Sequence, residues 1–138
     1  IHPPVMMNRV EKLSLLSEMI AFARMDESLR RIENKFLLGV AKELEISRED
    51  YDYLLENPIN YINLKSHSER IVQFHRLILL MNLDRDIADK DLVRLHNFGL
   101  RMGLGHEAIN RVLDLMESFP DKIVPPDFLI DIFKTQYN

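Results

Sequence analysis

Apolar residues recur along this chain at helical spacing, three or four positions apart. Leu13, Leu16, Ile20 and Ala23 draw one such stripe and predict a first helix over residues 8–25. Leu37, Val40, Ala41 and Leu44 mark a second, and Ser47 with Asp50 three residues later resembles a capping box opening a short third helix that ends at Glu56. Pro58 and the polar stretch 60–65 interrupt the pattern. A second box, Ser66 with Glu69, then precedes Ile71, Phe74, Ile78 and Met81, which repeat the stripe of the first helix. Leu95, Phe98, Gly99 and Met102 mark a fifth helix, Gly103 and Gly105 a break, and Ile109, Val112, Leu113 and Met116 a sixth. After a loop over 120–126, Pro126 and Asp127 start a last amphipathic helix, with Phe128, Ile132 and Phe133 expected to face inward. The fold class is all-α, with about seven helices.

The second group of three helices reads as a copy of the first displaced by 58 positions. Glu11/Glu69, Ile20/Ile78, Asp26/Asp84, Leu37/Leu95, Glu49/Glu107 and Leu55/Leu113 are identical, and sixteen of the 47 pairs are apolar in both members, against about ten by chance. The excess is modest, so the gapless register of three helices and their breaks carries more weight. The expected architecture is two three-helix repeats, residues 10–56 and 68–114, packed about a pseudo-twofold axis with a C-terminal helix added. These form a single domain over 8–138, with residues 1–7 set aside as a tail or tag remnant.

Composition narrows the chemistry. At 138 residues and 46% apolar content the chain can bury a core without a covalent staple. It has no cysteine, which excludes disulfides, thiolate zinc sites, iron–sulfur clusters and a thiol nucleophile. Its 18 basic and 22 acidic residues give a net charge of -4, where a duplex-binding protein carries a basic excess. The longest uncharged apolar stretch, Leu77 to Leu83, is too short to span a bilayer, and no signal peptide is expected from residues 1–7.

The repeat register sets Asp26 against Asp84 and Glu33 against Asp91, in each copy two acids seven residues apart around an interhelix turn. Carboxylates so placed suit a hard cation such as Ca²⁺ or Mg²⁺. The competing reading is that an acid at a helix N-terminus simply caps the helix and meets its dipole. The run Asp84-Arg85-Asp86 is no EF-hand, because position 6 is Asp89 instead of Gly and position 12 is Leu95 instead of Glu. Nor is the pair of helices around Ser47 a DNA reader: the would-be recognition helix sets Arg48 against Glu49, Asp50, Asp52 and Glu56. The histidines His67, His75, His96 and His106 show no pair four apart on a helix, so they are expected to be packing or surface residues. The serines fall in helices or at caps, with no nucleophile elbow or phosphate loop around them. Arg24, Arg30 and Arg31 flank the first acidic turn, either as solvated charge or as a patch that docks a partner protein.

The run from Ala23 through Asp26 and Leu29 to Glu33, followed by Leu37, Ala41 and Leu44-Glu45-Ile46-Ser47, resembles the tellurite-resistance TerB-like family, whose signature is an Ala-rich helix, Asp-Gly, an apolar residue and Glu seven after the Asp. Met102-Gly103-Leu104-Gly105 matches the later stretch in the second copy, and the likeness covers about residues 10–116. The resemblance implies a non-enzymatic interaction or sensor module of the bacterial cytoplasm, acting in stress response with protein partners that include membrane-associated ones. It also implies a divalent cation, Ca²⁺ or Mg²⁺, at Asp26, Glu33, Asp84, Asp86 and Asp91. That cation would be held weakly, because Glu27 and Arg85 stand where the family has a Gly able to reach positive φ. The alternative is a metal-dependent hydrolase using Asp26, Glu33, Asp84 and Asp91, which requires the two turns to approach within about 4 Å across two metals.

Overall fold

A computed structural model describes residues 7–24, 29–83 and 89–136. Its helices are α1 (Arg9–Arg24), α2 (Arg31–Glu43), α3 (Arg48–Glu56), α4 (His67–Met81), α5 (Asp89–Arg101), α6 (His106–Met116) and α7 (Pro126–Gln136), and a short 3₁₀ turn, Pro120–Lys122, breaks the loop before α7. The described residues are all-α, with seven α-helices. Among the described residues no helix is long and apolar enough to cross a membrane. Contacts divide the chain into two compact units, residues 1–64 and 65–138.

In the first unit α1, α2 and α3 pack against one another. Asn8 starts α1 by a reciprocal cap: its Oδ1 accepts the Glu11 N–H at 2.8 Å, and its own N–H donates to Glu11 Oε1 at 3.1 Å. The middle of α1 departs from the one-sided stripe expected of it, because every residue from Ser14 to Ile20 is buried. That run exceeds one turn, so burial reaches all round the helix. Two serines make it tolerable. Ser17 Oγ accepts the Ile59 N–H at 2.9 Å and donates to the Ile59 carbonyl at 3.2 Å, while Ser14 Oγ accepts the Ile62 N–H at 2.8 Å. The extended segment after Pro58 thus lies along α1 with its backbone satisfied by hydroxyls, and Leu64 plugs its far end into the core.

Both α2 and α5 stop in the same way. In α2 the Ile46 N–H bonds the Ala41 carbonyl at 2.8 Å and the Glu45 N–H the Lys42 carbonyl at 3.1 Å; in α5 Leu104 bonds Gly99 and Gly103 bonds Leu100, each at 3.0 Å. These are Schellman caps, which need a left-handed residue just past the helix. Gly103 supplies it at φ +81° without strain, whereas Glu45 is held at φ +60° against its own Cβ. Glu45→Gly should therefore raise stability by a few tenths to about 1 kcal/mol, the relieved strain exceeding the added freedom of the unfolded chain. A denaturant midpoint that falls in this variant would contradict the account.

The second unit packs α4 on α5 and α7, and α6 on α5 and α7. Gly99 permits the close approach of α5, since a Cβ there would lie 2.7 Å from Ile109 Cδ1 and 3.0 Å from Phe74 Cε1. The inward face of α7 differs from the expected one. Leu129, Ile132 and Phe133 are buried, but Phe128 is 50% exposed and packs edge-on against Phe119, with ring centroids 5.1 Å apart. Phe128 stands four positions before Ile132, yet with both Ile132 and Phe133 in the core the i, i+3, i+4 rule places Leu129 there instead. The remaining apolar stripes lie inward as read, including Leu37, Val40, Ala41 and Leu44 in α2 and Ile71, Phe74, Ile78 and Met81 in α4.

Arg9 and His67, Arg31 and Asp89, and Arg48 and His106 open successive helices of the two units at a constant separation of 58 positions. The same displacement relates Leu37 to Leu95, Val40 to Phe98, Leu44 to Met102 and Leu54 to Val112, all buried.

Candidate functional site

Of the acids read as cation ligands, Asp26, Asp84 and Asp86 lie outside the described residues. Glu33 sits in the first turn of α2, where its Oε1 accepts the Arg30 backbone N–H at 3.0 Å and lies 3.4 Å from Arg30 Nε. It is acting as a helix cap, closing half of a capping box to which Arg30, having no acceptor on its side chain, cannot contribute the other half. Asp91, in the first turn of α5, lies 3.5 Å from Arg94 Nη1. Among the described residues no group of three or more His, Asp or Glu could hold a metal ion together.

The three arginines read as a docking patch have separate occupations. Arg24 Nη1 donates to the Leu55 carbonyl at 2.6 Å, tying the end of α1 to the last turn of α3. Arg30 is engaged with Glu33, and Arg31 is exposed at the first position of α2. Both predicted serine caps are present, Ser47 Oγ accepting from Asp50 N–H at 3.1 Å and Ser66 Oγ from Glu69 N–H at 3.3 Å. The Asp50 carboxylate turns to Arg9, whose hydrogen bond holds its pKa below the usual carboxylate value.

His75 on α4 is half-buried beside a small cavity of about 80 Å³ lined also by Ile71, Val72, Leu129 and Ile130. Burial, assisted by the charge of Arg76, pushes its pKa below 6.5, and His67 is lowered by burial and by Arg70. The unfolded chain therefore takes up these protons first. Stability is full above about pH 6.5 and declines as the pH falls from there through the lower folded values. His75→Gln should flatten that decline, read as urea midpoints at pH 7.5, 6.5 and 5.5; an unchanged slope would remove His75 as its source.

An apolar surface depression lies between α5 and α6. Leu92, Val93 and His96 from α5 and Leu113 from α6 line a shallow apolar depression of about 230 Å³. Val93 is 58% exposed and Leu100, two turns along the same helix, 43% exposed, although the opposite face of α5 already fills the core with Leu95, Phe98 and Gly99. At the rim the two imidazoles meet. His96 Nε2 lies 3.0 Å from His106 Nδ1, the rings are nearly perpendicular at 78°, and Asn110 Nδ2 lies 3.1 Å from His106 Nε2. Spacing rules for metal or catalytic histidines look three or four positions along one helix, so a pair ten apart on two helices escaped them. The available signal was topological: in a helical hairpin broken at Gly103 and Gly105, the start of the second helix lies beside the second half of the first.

Comparison with models of protein families, with curated proteins and with solved structures returns no match for this chain.

Proposed function

We propose that this chain is a non-enzymatic, TerB-like interaction module of the bacterial cytoplasm, serving stress response by docking an apolar helix of a protein partner on the outer face of α5. The observation that carries this reading is the second apolar face of α5. Val93 and Leu100 point outward from a helix whose inner face is already satisfied, and Leu92 and Leu113 floor the adjoining depression. Exposed apolar side chains gathered beside an apolar depression mark an interaction site more readily than a lone exposed residue does. The exposed acids Glu49, Asp52 and Glu56 on α3 argue against nucleic acid as the partner. Weakly held Ca²⁺ or Mg²⁺ at the acidic turns, with Asp26 and Glu33 in one and Asp84, Asp86 and Asp91 in the other, belongs to the same proposal, Glu33 also capping α2 and Asp91 also standing beside Arg94.

The test is complementation. A strain lacking the gene should become sensitive to tellurite or oxidative stress, and Val93→Glu with Leu100→Glu should fail to restore it. The exposed positions predict an unchanged melting curve for that variant, within about 0.5 kcal/mol per site. Full rescue by the folded double variant would refute the docking face.

A further inference from the structure

We propose that His96 and His106 form a binding site for a late first-row divalent cation, of which Zn²⁺ is the probe. Imidazole nitrogen suits Zn²⁺, Ni²⁺ and Cu²⁺ and not the oxygen-seeking Ca²⁺ or Mg²⁺, so this site is distinct in chemistry from the acidic turns. Zinc holds imidazole nitrogens at about 2.0–2.1 Å, which places two of them roughly 3.3 Å apart on a tetrahedral ion. The observed separation of 3.0 Å between Nε2 and Nδ1 is already close to that span. Turning each ring by about 35° brings both nitrogens to face a common point off the line between them, where the ion replaces the shared hydrogen bond.

Asn110 meets the second ring nitrogen of His106. With its Nδ2 donating to His106 Nε2, the His106 proton sits on Nδ1 and is shared with His96. When the ion binds, that proton leaves Nδ1 and one is taken up at Nε2, so the ring changes tautomer with no net release. The Asn110 amide turns over to accept the Nε2–H through Oδ1. Asn110 thus bonds the ring in either tautomer, its Nδ2 meeting Nε2 in the free protein and its Oδ1 meeting Nε2–H in the metal-bound one. The two protein ligands leave the other positions to water, on the rim of the depression that Leu92, Val93 and Leu113 line. The site stands on this geometry alone and does not depend on the docking reading.

Calorimetric titration of the full chain with ZnCl₂ at pH 7.5, with folding checked by circular dichroism, tests it. The expected result is one Zn²⁺ per chain bound through this pair, weakened at least tenfold by His96→Gln or by His106→Gln and unaffected by His67→Gln or His75→Gln. Long-range ¹⁵N imidazole spectra should show His106 exchanging its Nδ1 proton for one on Nε2 when zinc is added. Zinc uptake undiminished in the folded double variant, or none at millimolar zinc, would overturn the proposal.

Discussion

Phe74→Ala should lower the unfolding free energy by about 3–5 kcal/mol, a large share of the stability of a domain this size. The ring is fully buried in α4, meets Phe133 of α7 edge-on with centroids 6.0 Å apart, and closes against Gly99 of α5. Three helices therefore lose contacts at once, and at Gly99 the side of α5 has no side chain to move into the space. Adding material at the same place should also destabilise. Gly99→Ala drives a Cβ into Ile109 and costs about 1–3 kcal/mol, the smaller figure applying if the Ile109 side chain swings clear. Chemical denaturation measures both, and a loss below about 1 kcal/mol for Phe74→Ala would mean that this packing does not hold the second unit together.

The second large effect lies in the first unit. Replacing Ser14 and Ser17 together by Ala leaves the Ile59 N–H and carbonyl and the Ile62 N–H without their partners. Stranded backbone groups cost about 1–3 kcal/mol each when dry, and partial access to water at Ile59 and Ile62 brings the sum to roughly 2–4 kcal/mol. Alanine is the better helix former by about 0.5 kcal/mol per site, so propensity alone gives the opposite sign. Hydrogen exchange separates the two accounts residue by residue: the Ile59 and Ile62 amides should lose protection in the double variant while amides in α2 keep theirs. Protection unchanged at those two amides would show that the hydroxyls are incidental.

These serines show where sequence reading stopped. Helix content, order and ends were legible because Leu37, Val40, Leu44, Ile71, Phe74 and Ile78 follow the 3.6-residue period and Ser47 and Ser66 carry a capping signal that depends only on local spacing. A serine inside a helix carries no such signal, since its value at Ser17 comes from a backbone 42 residues away. The His96–His106 pair was missed for a similar reason: the contact is set by how two helices cross, and no periodicity within either one records it. Phe128 lies outward because Leu129, three and four positions before Ile132 and Phe133, takes the inward place on α7. At the acidic turns Glu33 and Asp91 each meet an arginine within three positions, a local pairing that the seven-residue spacing of the acids does not record.

Hydroxyl-to-backbone attachment of the 58–64 segment has a consequence for how sequences of this kind can diverge. The segment is recognised through its peptide groups, so the side chains at 59, 60, 62 and 63, all exposed, are nearly free to drift. Proline is the exception. Pro58 is harmless, but a proline at 59 or 62 removes the very N–H that a serine accepts. Relatives should therefore keep a small hydroxyl residue at 14 and 17 and an apolar residue at 64, and avoid proline at two positions that otherwise accept almost anything. An alignment scored on shared side chains would see that linker as unconstrained, when its constraint is written on the helix it lies against.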